Sequence, residues 1–230
     1  MSSPNYHIIA DEPDFLVVDK APGVHFHSQD GHAGLVAQVE HDLSTKLFAV
    51  HRLDTMTSGL LLLARSSQAA AQFTELFTQH QVQKFYLALA QGKPKKKQGW
   101  VVGDMAKSRR GMYKLLRTTE NPAITQFFSQ AVGDGVRLYL LKPLSGKTHQ
   151  LRVALNSVGV PILGDPLYCV ADHGAARGYL HAYGLQFNWQ GQAFNYLCAP
   201  THGEQFVAEA VTQQLADWGE PWQLAWPNKK

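Results

Sequence analysis

The sequence is poor in cysteine: Cys169 and Cys198 are the only two among 230 residues, and they lack CxxC spacing. That argues against a disulfide framework or a thiolate zinc site and leaves both as buried thiols. Long hydrophobic runs are missing too. No stretch approaches the roughly 18–20 apolar residues a bilayer requires. The start, MSSPNYHIIADEPDF, lacks the basic and apolar regions of a signal peptide. A cytoplasmic chain with no membrane association is expected. Acid is scarce in one place: residues 93–117 hold nine bases (Lys93, Lys95, Lys96, Lys97, Lys107, Arg109, Arg110, Lys114 and Arg117) against Asp104 alone, a net +8 in a chain of +3. Such concentration fits a surface facing a polyanion such as nucleic acid. GKPKKKQG also fits a Gly-bounded hairpin tip kept soluble by charge.

What is present is ordinary for a globular protein: 45% hydrophobic and 17% charged residues, enough for one domain with a large core. DFLVVDK reads as a buried strand closed by the APG turn, and residues 32–43 as a helix. LFAV and LLLLA are strands too short for helices. Ser66 or Ser67 caps a helix whose Phe73, Leu76, Phe77 and His80 share a face, and KFYLALA follows as strand. AITQFFSQ and VRLYLLKP flank Gly133, Asp134 and Gly135 as a hairpin. THQLRVALNSVG reads as a helix ended by Gly159, and YLHAYGLQFNW and AFNYLCAP as a strand pair. Val207, Ala210, Val211, Gln214, Leu215 and Trp218 form the inner face of a last helix. Helices on an antiparallel-rich sheet predict an α+β fold.

The stretch AVHRLDTMTSGLLLLA sets Asp54 in a polar loop between two apolar strands, with Arg52 two residues before it and Thr57 three after. Rigid strands that expose a loop tip favour function there. Spacing alone leaves an Asx turn open, with the carboxylate accepting N–H bonds from Met56 or Thr57.

Separated segments carry a family likeness. HRLDTMTSGLLLLA resembles the central motif of the RluA-type pseudouridine synthases, which modify ribosomal or transfer RNA. DEPDFLVVDKAPGVHFH is similar to their opening motif, with Lys20, Pro22 and Gly23 matching. VQKFYLAL resembles the segment with the active-site Tyr, and LSGKTHQLRVAL the segment whose Arg pairs with the catalytic Asp. GDPLY and YLHAYGLQF also look like family segments, so the likeness spans about residues 8–206. Departures exist: Lys147 stands where Arg is usual, Ala154 where His is common, and NWQGQAFNYLCAPTH lacks the usual His-Pro turn.

The resemblance implies the family fold, a large mixed but mainly antiparallel sheet flanked by helices and loops with a catalytic cleft across it. It implies a single catalytic domain over residues 1–230 without an N-terminal accessory RNA-binding domain. The reaction it implies is isomerisation of uridine to pseudouridine, which needs no cofactor and no metal. Asp54 would act at the sugar of a flipped-out uridine, as carboxylates do in glycoside hydrolysis. Arg152 would oppose it and keep it ionised. Tyr86 would stack on the base and assist loss of the C5 proton. Arg52 and His51, Thr57, Lys84, Lys147, His149 and Gln150 are expected to bind RNA. Lys93, Lys95, Lys96, Lys97, Arg109 and Arg110 would join them by holding phosphates. The partner is then RNA, with no obligate protein partner and a monomeric chain.

Other readings compete. A noncatalytic RNA-binding protein would keep the fold but lose a catalytic residue, and Asp54, Tyr86 and Arg152 are all present. His25, His27, His32, His41 and His51 raise a metal hydrolase, without HExxH spacing to support it. Gly146-Lys147-Thr148 resembles the end of a P-loop, but Leu141 stands where that motif needs Gly.

Overall fold

The run SGLLLLA forms a strand with all seven residues buried, as an apolar segment too short for a helix does when both its faces are covered. The computed structural model describes residues 4–29, 31, 33–170 and 174–227. In chain order the elements are β1 (Tyr6–Asp11), β2 (Phe15–Lys20), α1 (Leu35–Leu43), β3 (Phe48–Ala49), β4 (Ser58–Ala64), α2 (Ser67–Thr78), β5 (Gln83–Gln91) and β6 (Gln98–Gly103). There follow β7 (Met105–Lys107), β8 (Tyr113–Leu115), β9 (Ala123–Gly133), β10 (Val136–Pro143), α3 (Gln150–Ser157), β11 (Leu180–Trp189), β12 (Gln192–Leu197) and α4 (Glu209–Trp218). This strand-rich mixture with few helices is the α+β class expected. No helix among the described residues is long and apolar enough to cross a membrane.

Two compact units divide the chain. The described residues up to Val82 with His181–Ala199 form the first, and Gln83–Leu180 with the described residues from Pro200 onward form the second. In the first, β2 pairs antiparallel with β1 and β4, β3 with β4, and β12 with β11. The exception is β4 beside β11, parallel through His181↔Ser58 and Ala182↔Gly59. Gly59 makes that approach possible: at φ 104° a Cβ there would lie 2.3 Å from the Ala182 carbonyl oxygen. The core centres on Phe15, edge-on to Phe73 and Phe187 at 5.5 Å each, with Phe73 stacked on Trp189 at 3.9 Å.

Helix ends follow local chemistry. Ser66 caps α2, its Oγ accepting the Ala69 N–H at 3.1 Å. The helix stops at Thr78, and His80 takes a left-handed conformation (φ 57°) in an exposed turn, so it does not share the inner face expected of it. α1 starts at Leu35 rather than residue 32, and His32 lies outside the described residues.

In the second unit the sheet order is β5-β10-β9-β6, antiparallel throughout, with β7 and β8 a separate two-stranded ribbon. Asp134 (φ 49°) and Gly135 (φ 73°) make the tight turn between β9 and β10, as their identities predict. GKPKKKQG is not a hairpin tip: β5 and β6 are separated by β10 and β9, so this segment is a crossover. RRGMYKLL, unassigned by the sequence, supplies the ribbon's turn and second strand. α4 begins only at Glu209. Val207 precedes it, half exposed, Ala210 is exposed, and Val211 is the fully buried member of the expected face.

Candidate active site

The loop from 50 to 57 is pinned at several points within the first unit. The Thr57 N–H donates to the Asp54 main-chain carbonyl at 3.0 Å, closing a turn around 54–57. The next carbonyl, of Thr55, accepts from the Gly23 N–H at 2.8 Å and from Lys20 Nζ at 3.2 Å. Lys20 is fully buried and also donates to the carbonyls of Ala21 (3.0 Å) and Val24 (2.9 Å). A buried ammonium is tolerated only when its donors are matched, and three carbonyls match them here. The Thr55 hydroxyl lies 3.3 Å from His25 Nδ1.

Farther along, His51 Nε2 accepts the Leu62 N–H at 2.9 Å while its ring stacks on Phe77 at 4.7 Å. Ser58 Oγ lies 2.8 Å from His181 Nδ1, and His181 Nε2 is 2.8 Å from the Cys198 carbonyl. The loop thus carries Asp54, half-buried, on fixed stems, with Arg52 exposed beside it. Thr57, expected at the RNA surface, is buried.

The other expected catalytic residues lie in the second unit. Tyr86 stands on β5 opposite Leu141, half-buried, with the flanking Phe85 and Leu87 buried on the other face. Lys84 shares the Tyr86 face by the same alternation, and burial pulls its pKa below the ordinary lysine value. A Cβ at Gly146 would lie 3.9 Å from Lys84 Nζ, so the amine reaches the loop preceding α3.

That loop is organised by Gln150. Its carbonyl accepts from Ser145 Oγ (2.8 Å) and the Lys147 N–H (3.0 Å), and its amide donates to the Ile124 carbonyl (3.0 Å) and Thr125 Oγ1 (3.1 Å). Gln150 therefore shapes the loop rather than presenting its amide to solvent, while Lys147 Nζ donates to Asn121 Oδ1 at 2.9 Å.

Arg152, on α3, is buried and clasped by Asp165. Nε donates to Oδ2 at 2.7 Å and Nη2 to Oδ1 at 2.8 Å, a bidentate pair with both partners out of solvent. Asp165 also accepts the Leu167 and Tyr168 N–H groups, at 2.9 and 3.1 Å. The Tyr168 ring sits 5.1 Å from the guanidinium. Asp165, Tyr168 and Lys20 are the residues sequence reasoning left without a role. GDPLY and the Lys-Ala-Pro-Gly run were the available signals, and neither spacing reveals a partner.

All nine bases of residues 93–117 are exposed, and among the described residues none forms an ion pair. The one acid among them, Asp104, accepts the Glu120 and Asn121 N–H groups at 3.0 and 2.8 Å. A Thr118 hydrogen bond, with these two, holds its carboxyl below the usual range. Lys93, Lys95, Lys96 and Lys97 lie on the crossover, and Arg109 and Arg110 at the ribbon's turn. Cationic surface left without acidic partners suits a polyanion. Among the described residues no three His, Cys, Asp or Glu side chains converge as a metal ion requires.

Comparison with known proteins gives this arrangement its context. A family model described as RNA pseudouridylate synthase matches residues 14–157, more than half of the chain. An uncharacterized RNA pseudouridine synthase of Haemophilus influenzae is similar at 44% identity over 209 residues, covering 90% of this chain and 93% of the relative. A ribosomal large subunit pseudouridine synthase C of Rickettsia bellii is 37% identical over 123 residues, covering 52% of this chain and 41% of its own. The solved structure of human RNA pseudouridylate synthase domain containing 1 shares the fold, with TM-score 0.76 at 24% identity and full coverage of both chains. The chain belongs to the RluA-type RNA pseudouridine synthases, which are isomerases.

Proposed function

We propose that the chain converts uridine to pseudouridine in ribosomal or transfer RNA, with Asp54 as the catalytic carboxylate. The observation that carries this reading is the pinned 50–57 loop, which offers one half-buried carboxylate on fixed stems in a family of RNA isomerases. The Rickettsia relative's name, which specifies the ribosomal large subunit, supports ribosomal RNA as substrate. The uridine N1–C1′ bond breaks, the base turns, and C1′ bonds to C5. N1 gains a proton and C5 loses one, so nothing is consumed. Asp54 acts at the sugar as the glycosidic bond fails.

In this reading Arg152 is the cation that keeps the Asp54 carboxylate charged, and Asp165 orients its guanidinium. Tyr86 stacks on the everted base and assists removal of the C5 proton. Eversion costs a few kcal/mol of lost stacking. Arg52, exposed beside Asp54, and the cations of residues 93–117 offset that cost through contacts to RNA.

The test is to map pseudouridines in RNA from a strain lacking the gene, complemented with the wild-type or Asp54→Asn gene. Restoration by wild type alone supports the assignment and names the RNA. Restoration by both removes Asp54 from the chemistry, and restoration by neither leaves a noncatalytic RNA-binding protein on this fold.

A further inference from the structure

Tyr168 joins two parts of the second unit that the chain keeps apart, the two-stranded ribbon and the start of α3. Its hydroxyl accepts the Tyr113 N–H at 2.8 Å, across 55 residues, and lies 3.0 Å from His149 Nδ1, across 19. Tyr113 opens β8 opposite Lys107, at the base of the turn that carries Arg109 and Arg110. His149 immediately precedes α3, and its ring is edge-on to both Tyr113 (5.6 Å) and Tyr168 (5.8 Å). The Tyr168 ring lies 5.1 Å from the Arg152 guanidinium, and its own N–H donates to Asp165 Oδ1, the same oxygen that accepts from Arg152. The side chain is 3% exposed. One buried residue therefore holds the basic ribbon's backbone, the entry to α3 and the ion pair of Arg152.

We propose that Tyr168 is a positioning residue: it sets the ribbon against α3, so that RNA phosphates engaged by Arg109 and Arg110 fall in register with the uridine presented to Arg152. Two strands of three residues have little stability of their own, so the ribbon's orientation depends on what it is tied to. The Tyr113 N–H is such a tie, and its acceptor is a hydroxyl that phenylalanine lacks. Loss of the hydroxyl leaves the ring beneath Arg152. The ribbon loses its registration while the chemistry keeps its groups. This rests on the proposed role of Arg152 in RNA isomerisation.

The experiment measures tritium release from 5-tritiated bulk RNA, prepared from a strain lacking the gene, for wild type, Tyr168→Phe, Arg109→Ala/Arg110→Ala and the triple variant. Tyr168→Phe is expected to raise KM about tenfold and leave kcat within about twofold, the pattern of lost binding rather than lost chemistry. In the variant lacking both arginines the added Tyr168→Phe change raises KM less than about twofold, because residues acting as one unit are not additive. Amide exchange at Tyr113 quickens while α3 keeps its protection.

A fall in kcat without change in KM, a full multiplicative effect in the arginine-free background, or uniformly faster exchange across the second unit overturns the proposal. Absence of release from wild type would instead overturn the functional reading beneath it.

Discussion

Lys20 Nζ donates to the carbonyl of Thr55, 3.2 Å away and one residue past Asp54. The lysine is fully buried, so its charge serves the backbone rather than a ligand in solvent. Lys20→Met removes the donor to three carbonyls. It is expected to cost about 1–3 kcal/mol of stability, and to lower kcat on the order of tenfold because the loop that carries Asp54 loses its registration. Urea unfolding with steady-state tritium release reads both. Unchanged kcat in the variant would show that the loop keeps its shape without Lys20.

RNA affinity supplies a second expectation. Arg109 and Arg110 are exposed at the ribbon's turn without an ion pair. If both contact phosphates, Arg109→Ala/Arg110→Ala reduces the slope of log K against log salt by about 1.4–1.8, since each contact contributes roughly 0.7–0.9. Filter binding over a range of salt concentrations measures it. An unaltered slope would assign the two arginines to solvent.

Much of the fold is legible in local chemistry. Asp134-Gly135 and Gln190-Gly191 adopt the left-handed pairs that tight hairpins require, and Ser66 caps its helix. Sheet order is not local. That GKPKKKQG crosses from β5 to β6 past β9 and β10 depends on long-range pairing, which leaves no mark in the segment itself. The ribbon was hidden for a related reason: its three-residue strands, Met105–Lys107 and Tyr113–Leu115, carry too little alternation to read. At the proposed site, Asp54, Tyr86 and Arg152 were singled out through family likeness. The Asp165 clasp of Arg152 was not, because twelve residues of helix and turn intervene and partner geometry is set by tertiary packing.

Lys84 gives a pH dependence. Burial holds its pKa below the ordinary 10.5, so between its folded value and 10.5 the unfolded chain binds more protons, and stability rises with pH across that window. Below the window the full desolvation penalty remains. Lys84→Met removes the penalty, so its urea midpoint is expected to exceed that of wild type at pH 7, the gap narrowing toward pH 10.5, while RNA affinity falls. A wild-type protein more stable than the variant at pH 7 would show that partners of the ammonium outweigh its desolvation.

The most direct test of the central claim is release of tritium from C5-labelled uridine in bulk RNA by purified wild-type protein and by Asp54→Asn, a change that keeps shape and removes charge. The assignment of Asp54 predicts release by wild type and a loss of at least about a thousandfold in the variant, the scale expected when a covalent or charge-stabilising carboxylate is removed. Release at equal rates from the two proteins would contradict it.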